Sequence, residues 1–215
     1  MLKKILSYIY PVSKKILTDH NATLEITWYN GRKMLDSANT NYSYGSLQKI
    51  LKFGLQQIDL SEVNHILLLG MGGGSVIQTL RNYFHYDKKI TAVEIDSAVI
   101  KIAKNEFNIT ENDQLKIVHA DAIDFIDHCK KKFQLIIVDL FIDADVPVAF
   151  HSQEPWMKLK ELIDINGYIL FNASLSDGVL PITATLPEWL KSDFTFNTFN
   201  NVAGSNTILV GKRVA

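Results

Sequence analysis

The sequence predicts an α/β fold: a mostly parallel sheet closed by a C-terminal antiparallel hairpin, with a small β-hairpin ahead of it. Three observations carry this. From His65 onward, short apolar runs at 65–69, 90–94, 115–118, 134–139 and 167–172 alternate with helical periodicity at 75–84, 97–107, 122–129 and 153–163. Alternation of that kind builds a parallel sheet covered on both faces. The tail breaks the rule, because Phe194 to Phe199 and Thr207 to Val210 read as strands joined by a loop too short for a helical crossover, so they must pair antiparallel. Finally, the buried-strand run Ile66 to Leu69 stops abruptly in Gly70-Met71-Gly72-Gly73-Gly74, after which Val76, Ile77, Leu80, Tyr83 and Phe84 recur at helical spacing.

Taken in order, Met1 to Leu17 carries Lys3, Lys4, Lys14 and Lys15 around two apolar patches and reads as a docked surface helix. It lacks the continuous hydrophobic region and small-residue cleavage site of a signal peptide. Residues 22–36 read as a hairpin: Leu24, Ile26 and Trp28 alternate with polar neighbours, and Asn30-Gly31 is a favoured two-residue turn. Asn39 to Gly45 is a polar, tyrosine-containing loop, and Leu47 to Gln57 a helix. We divide the chain into an N-terminal segment, 1–62, and a nucleoside-binding unit, 63–215. Within the second, 181–191 reads as a helical stretch that Pro187 leaves open, because an interior proline breaks or kinks a helix.

Composition narrows the function. With 47 % hydrophobic residues in 215, the chain can bury a substantial core and is not disordered. Lys and Arg total 22 against 23 acids, so no basic field draws in nucleic acid. No segment has the ~20 apolar residues of a membrane span, and the expectation is a protein without membrane partners. Cys129 is the sole cysteine, so an intramolecular disulfide is excluded and a reducing cytoplasm is the expected compartment. His20, His65, His85, His119, His128 and His151 show no metal-ligand spacing, so no metal site is expected. Nucleophile-elbow and phosphate-loop motifs are absent from the sequence.

The glycine turn is where a ligand can touch backbone. Glycines permit positive φ and remove the Cβ atoms that hold a ligand away, and the helix beyond offers unpaired N–H groups. Glu94 ends the next strand, 20 residues after Gly74. An acid at this spacing accepts from ribose hydroxyls in nucleoside-binding folds; the plainer alternative is a strand end that favours the helix near Ser97. Asp121 follows the strand Leu115 to Val118 and opens a helix, which suits either a ligand contact or an N-cap.

This order of motifs resembles the spermidine synthase family within the class I S-adenosylmethionine-dependent methyltransferase fold, a Rossmann-like architecture. The resemblance covers roughly residues 22–212 and rests on Gly70-Met71-Gly72-Gly73-Gly74, Val93-Glu94-Ile95-Asp96, Asp121-Ala122 and Ile136-Ile137-Val138-Asp139. It implies that Gly70, Gly72 and Gly74 face the cofactor's sugar and aliphatic tail. Glu94 would hold the ribose, Ile95 would lie against the adenine, and Asp121 would accept from its amino group. Asp139 matches the family's acid that helps deprotonate the attacking amine.

Departures from the family pattern are as informative. The Asp-Ser-Ser-Asp-Pro-like loop reads Asp139-Leu140-Phe141-Ile142-Asp143-Ala144-Asp145-Val146-Pro147, so Asp143 and Asp145 are either a rerouted acid or solvated loop residues. The family's Tyr-His-Glu segment is matched by Tyr44-Gly45-Ser46, leaving Trp28, Tyr42 and Tyr44 as aromatic faces or as packing. Gly73 stands where the family usually carries an aspartate. Losing that negative charge suits the carboxylate of S-adenosylmethionine better than the decarboxylated form. The leading expectation is methyl transfer to a small acceptor, with Asp139 as the catalytic residue. The alternatives are aminopropyl transfer using decarboxylated S-adenosylmethionine, and a catalytically silent nucleoside-binding module. A homodimer paired through the exposed hairpin edge is a further expectation.

Overall fold

The computed structural model describes residues 2–18, 23–37, 41–141, 145–173 and 182–215, with the backbone alone at 37, 41–43 and 46. The chain opens with α1 (Leu2–Leu6), β1 (Val12–Leu17), β2 (Thr23–Tyr29), β3 (Arg32–Ser37), β4 (Asn41–Ser43) and α2 (Gly45–Leu55). The four strands form an antiparallel sheet in sequence order. Asn30 and Gly31, both at positive φ, make the turn between β2 and β3. There Asn30 N donates to Ser7 O and Gly31 N to Ser7 Oγ, which seats the end of α1 on the hairpin tip.

The expected surface helix over Met1 to Leu17 is corrected. It is five residues of helix, then a strand whose partners run from Val12 opposite Trp28 to Leu17 opposite Thr23. Pro11 explains the break, since the residue before a proline is pushed out of helical geometry, and β2 offered an unpaired edge beyond it. The polar loop expected over Asn39 to Gly45 likewise contains β4, paired with β3. The hairpin's two edges are therefore covered by β1 and β4.

The second sheet contains β5 (His65–Leu69), β6 (Lys89–Glu94), β7 (Leu115–His119), β8 (Phe133–Val138), β9 (Ile163–Asn172), β10 (Phe194–Val202) and β11 (Asn206–Arg213). Their order is β10-β11-β9-β8-β5-β6-β7. Strands β5 to β9 run parallel, and β11 pairs antiparallel with both β9 and β10. Between them lie α3 (Ser75–Asn82), α4 (Ser97–Phe107), α5 (Ala122–His128), α6 (Gln153–Leu162) and α7 (Ile182–Leu190).

Alternation along β5 serves two cores. Ile66 and Leu68 join an apolar cluster with Leu51 and Leu55 of α2, Leu80 of α3, and Leu24 and Leu35 of the first sheet. Leu67 and Leu69 join the opposite cluster with Trp156, Leu159, Leu186 and Leu190. α7 runs through Pro187 unbroken, which settles the stretch left open by the sequence: the proline withholds one bond from Thr183, but Ile182, Leu186 and Leu190 bury at helical spacing and anchor the turn. β9 starts earlier than its apolar run because Ile163 pairs with Phe133 and a register shift between Phe133 and Leu135 accommodates Asp164 to Gly167. No helix among the described residues is long and apolar enough to cross a membrane.

The chain leaves β5 toward β6 and β7 in one direction, and continues through β8 and β9 in the other. The crevice outside the carboxyl ends of β5, β6 and β8 is thus the switch point where open α/β sheets bind ligands.

Candidate functional site

Leu69 passes the chain to the glycine turn at the centre of that edge. Gly70 N and Met71 N both donate to Val93 O, at 3.1 and 3.2 Å, folding the turn back over β6. Gly70 has φ 85°, and a Cβ there would lie 2.1 Å from Asp139 O, a main-chain atom that cannot swing aside. Gly74, also at φ 85°, caps α3, and its Cβ would strike Ile109 Cγ1 at 2.4 Å. Gly72 is at φ 52°.

Tyr44 holds the turn from beneath. Its hydroxyl donates to Gly73 O at 3.1 Å, its ring stacks on Phe107 with centroids 4.4 Å apart, and it is buried at φ 74° just before α2. A tyrosine in left-handed backbone geometry is strained, and the stack and the hydrogen bond hold it there. Burial pushes its phenol pKa well up, so it stays a donor. Tyr44→Phe is expected to keep the fold and weaken cofactor binding roughly three- to tenfold through the lost hydrogen bond; calorimetric titration of the variant checks it.

Glu94 is buried beside this turn. Its Oε2 accepts from Gly72 N at 2.9 Å and its Oε1 from Asp96 N at 3.1 Å. Burial raises its pKa, the Gly72 and Asp96 N–H groups oppose that, and the nearby Asp96 carboxylate adds to the rise. Capping α4 falls to Asp96, which accepts from Ala98 N at 2.8 Å, while Glu94 ties the glycine turn to the residue that opens that helix. Ile95, an apolar side chain 37 % exposed, sits directly after it. His119 Nε2 lies 2.9 Å from Ile95 O and carries the proton there, tying the ends of β6 and β7 together.

Asp121 uses one oxygen as an N-cap. Its Oδ1 accepts from Ile123 N at 2.7 Å and Asp124 N at 3.3 Å, and its Oδ2 has no hydrogen bond from the described residues. The N-cap reading is thus what the structure shows, and the cap leaves Oδ2 as an available acceptor.

Asp139 follows β8, anchored by its own N–H to Leu69 O at 2.9 Å. Its Oδ1 accepts from Asn172 Nδ2 at 2.9 Å, and Asn206 Nδ2 in turn donates to Asn172 Oδ1 at 2.8 Å. Burial pushes its pKa up to about 7, with the Asn172 bond pulling down and Glu94 adding to the rise. Sequence reasoning missed Asn172 and Asn206. A polar residue closing the apolar run Ile169-Leu170-Phe171 was the available signal for the first, the same signal that singled out Glu94 and Asp139.

Other candidates fare differently. Asp143 lies outside the described residues, as does the side chain of Tyr42, and Asp145 is exposed. Lys33 Nζ sits 5.0 Å from the Trp28 ring and 5.6 Å from Phe107 while bonding Glu106 Oε2 at 2.9 Å, so that aromatic pair already faces a cation of the protein. Gly70, Gly72, Glu94 and Asp139 come together at the switch point, while Ile95 and Asp121 line the same edge toward β7.

Comparison with known proteins agrees with this fold. The family model for the spermine/spermidine synthase domain matches residues 48–196, well over half the chain. The probable polyamine aminopropyl transferase of Bifidobacterium longum is 28 % identical over 132 residues, covering 61 % of this chain and 29 % of that protein. The eEF1A lysine and N-terminal methyltransferase homolog of Drosophila pseudoobscura pseudoobscura is 25 % identical over 174 residues, covering 75 % of this chain and 26 % of its own length. The chain thus spans under a third of either relative. Among solved structures, human methyltransferase-like protein 13 in complex with SAH superposes with a TM-score of 0.64 at 23 % identity, covering 80 % of this chain and 83 % of that one, which shows the shared fold.

Proposed function

The chain belongs to the spermine/spermidine synthase domain family, and from that premise we propose that it is an S-adenosylmethionine-dependent transferase moving a methyl group to a small acceptor. The observation that carries methyl over aminopropyl transfer is Gly73. Where the family resemblance calls for an aspartate, this turn has no side chain, and its carbonyl is taken by Tyr44. A like-charged acid facing the cofactor's carboxylate would cost on the order of several kcal/mol in a partly buried site.

The residues present fit the cofactor. Gly70, Gly72 and Gly74 give the turn the positive-φ path that carries it over the end of β6, and Glu94 is an acceptor suited to two ribose hydroxyls. Ile95 offers an exposed apolar face for the adenine, and Asp121 Oδ2 is available to its amino group. The bound cofactor supplies an electrophilic methyl group on a positively charged sulfur. Asp139 then does the acid–base work: it orients the acceptor and takes the proton the acceptor gives up. A group held near pKa 7 divides its time between both forms at neutral pH, which is where a general base is most useful.

Near-balanced charge supports a small acceptor over nucleic acid, and the sole cysteine supports a reducing cytoplasm. A homodimer in this reading pairs through the outer edge of β1. Aminopropyl transfer is favoured by one specific observation, the retained Asp139 with its raised pKa, and calorimetry with the two cofactor forms decides between the readings. S-adenosylmethionine is expected to bind at least about tenfold tighter than its decarboxylated form. The reverse preference would restore polyamine synthesis. Binding of neither would refute both, and binding without turnover across acceptors would leave a silent module.

A further inference from the structure

The acid at the end of β8 is the first member of a row. Asn172 closes β9 and Asn206 opens β11, so three neighbouring strands place Asp139, Asn172 and Asn206 side by side along the carboxyl edge. The main chain fixes this placement, with Asn172 opposite Ile208 and Ala173 N donating to Thr207 O at 2.9 Å. Asn172 is fully buried, so its amide must find partners within the protein.

Chemistry dictates the polarity of the row. An ionised carboxylate only accepts, so Asn172 turns its NH₂ to Asp139. That leaves its carbonyl for Asn206, which must answer with its own NH₂. Both amide dipoles then point their positive ends at the carboxylate. A proton on Asp139 Oδ1 inverts the demand, because the acid becomes a donor. Asn172 serves a donor with its carbonyl, and Asn206 must reverse in step. The row has two self-consistent arrangements, separated by one proton and the orientation of two amides.

We infer that Asn172 and Asn206 are positioning residues that act through Asp139: they hold its Oδ1, favour its charged form, and carry its protonation state across the sheet edge to β11. Only the catalytic meaning of this inference rests on Asp139 being the proton acceptor of the transfer; the relay itself does not. Among the described residues, Glu94 at the end of β6 is the charged group acting on Asp139. β9 and β11 present it with neutral amides, and β5 with the main chain of Gly70.

The test is a pH titration of the full chain by NMR, with ¹³C in aspartate carboxyl groups and ¹⁵N in asparagine amides. Asp139→Asn assigns the carboxyl signal. The Asp139 signal is expected to titrate near 7, and the Asn206 side-chain amide to shift with the same midpoint. In Asn172→Ala the Asp139 midpoint should rise by about one to two pH units, and the Asn206 amide should stop following it. Asn206→Ala should raise the midpoint less. Unchanged midpoints in both variants, or an Asn206 amide blind to the titration in the unsubstituted protein, would overturn the inference. Should Asn172→Ala not fold, Asn206→Ala decides alone: an upward shift supports the relay and no shift refutes it. Failure of the functional reading looks different, as unchanged turnover in Asp139→Asn while these midpoints behave as stated.

Discussion

Asp139→Asn is expected to lower turnover by roughly 10²- to 10⁴-fold while leaving S-adenosylmethionine affinity within a few-fold of the unsubstituted protein. The substitution is isosteric, and an asparagine carbonyl can still accept from Asn172 Nδ2, so the row of amides and the end of β8 keep their geometry. What is lost is the ability to take a proton. Paired turnover and calorimetry on the variant check this, and unchanged turnover would remove Asp139 from the reaction.

The same variant has a stability signature with a definite sign. Asp139 stands at about 7 in the folded protein against 3.8 for an unperturbed group. Between those values the folded state binds the proton more tightly than the unfolded chain, so the stability it contributes falls as pH rises through that window. Asp139→Asn escapes the loss. Its thermal midpoint should exceed that of the unsubstituted protein at pH 8, and the gap should close toward pH 4.

Glu94→Ala is expected to cost on the order of 10²-fold or more in cofactor affinity, measured by calorimetry. The removed carboxylate is the acceptor proposed for both ribose hydroxyls, and bonds to a charged group are among the stronger ones. The free protein suffers too, because Gly72 N–H and Asp96 N–H lose their acceptor. Glu94→Gln separates the two effects. An amide oxygen can still receive Gly72, but its NH₂ then meets the Asp96 N–H, donor against donor. That variant should keep the turn ordered better than the alanine while still binding weakly. Wild-type affinity in Glu94→Ala would take the ribose away from this residue.

Much of this was legible because the central strands obey simple rules. His65–Leu69 and Ser97–Phe107 start and stop where apolar runs and helical periodicity place them, since burial on both faces leaves no other pattern. Glu94 and Asp139 stood out as acids ending such runs. β1 did not, because an edge strand with mostly exposed side chains carries no alternation to read. The continuity of α7 depended on three buried aliphatics outweighing one proline, a balance visible only once their neighbours are known. Asn172 and Asn206 stayed hidden for a topological reason. They lie 34 residues apart, and only the order β10-β11-β9 makes them neighbours. Tyr44 was recognised as an aromatic, but its bond to Gly73 needed the fold to bring the loop before α2 under the turn after β5.

The near-contact between Gly70 and the carbonyl of Asp139 works as a ruler. A side chain at position 70 has no room, and Asp139 N–H bonds Leu69 O at 2.9 Å, so the glycine turn and the end of β8 are held together through main chain. Neither can drift without the other. Under the proposed roles, an acceptor molecule would have to suit a constant gap between donor sulfur and base. Any breadth or narrowness in what the protein accepts has to be written into the loops around that gap, while the gap itself stays the same.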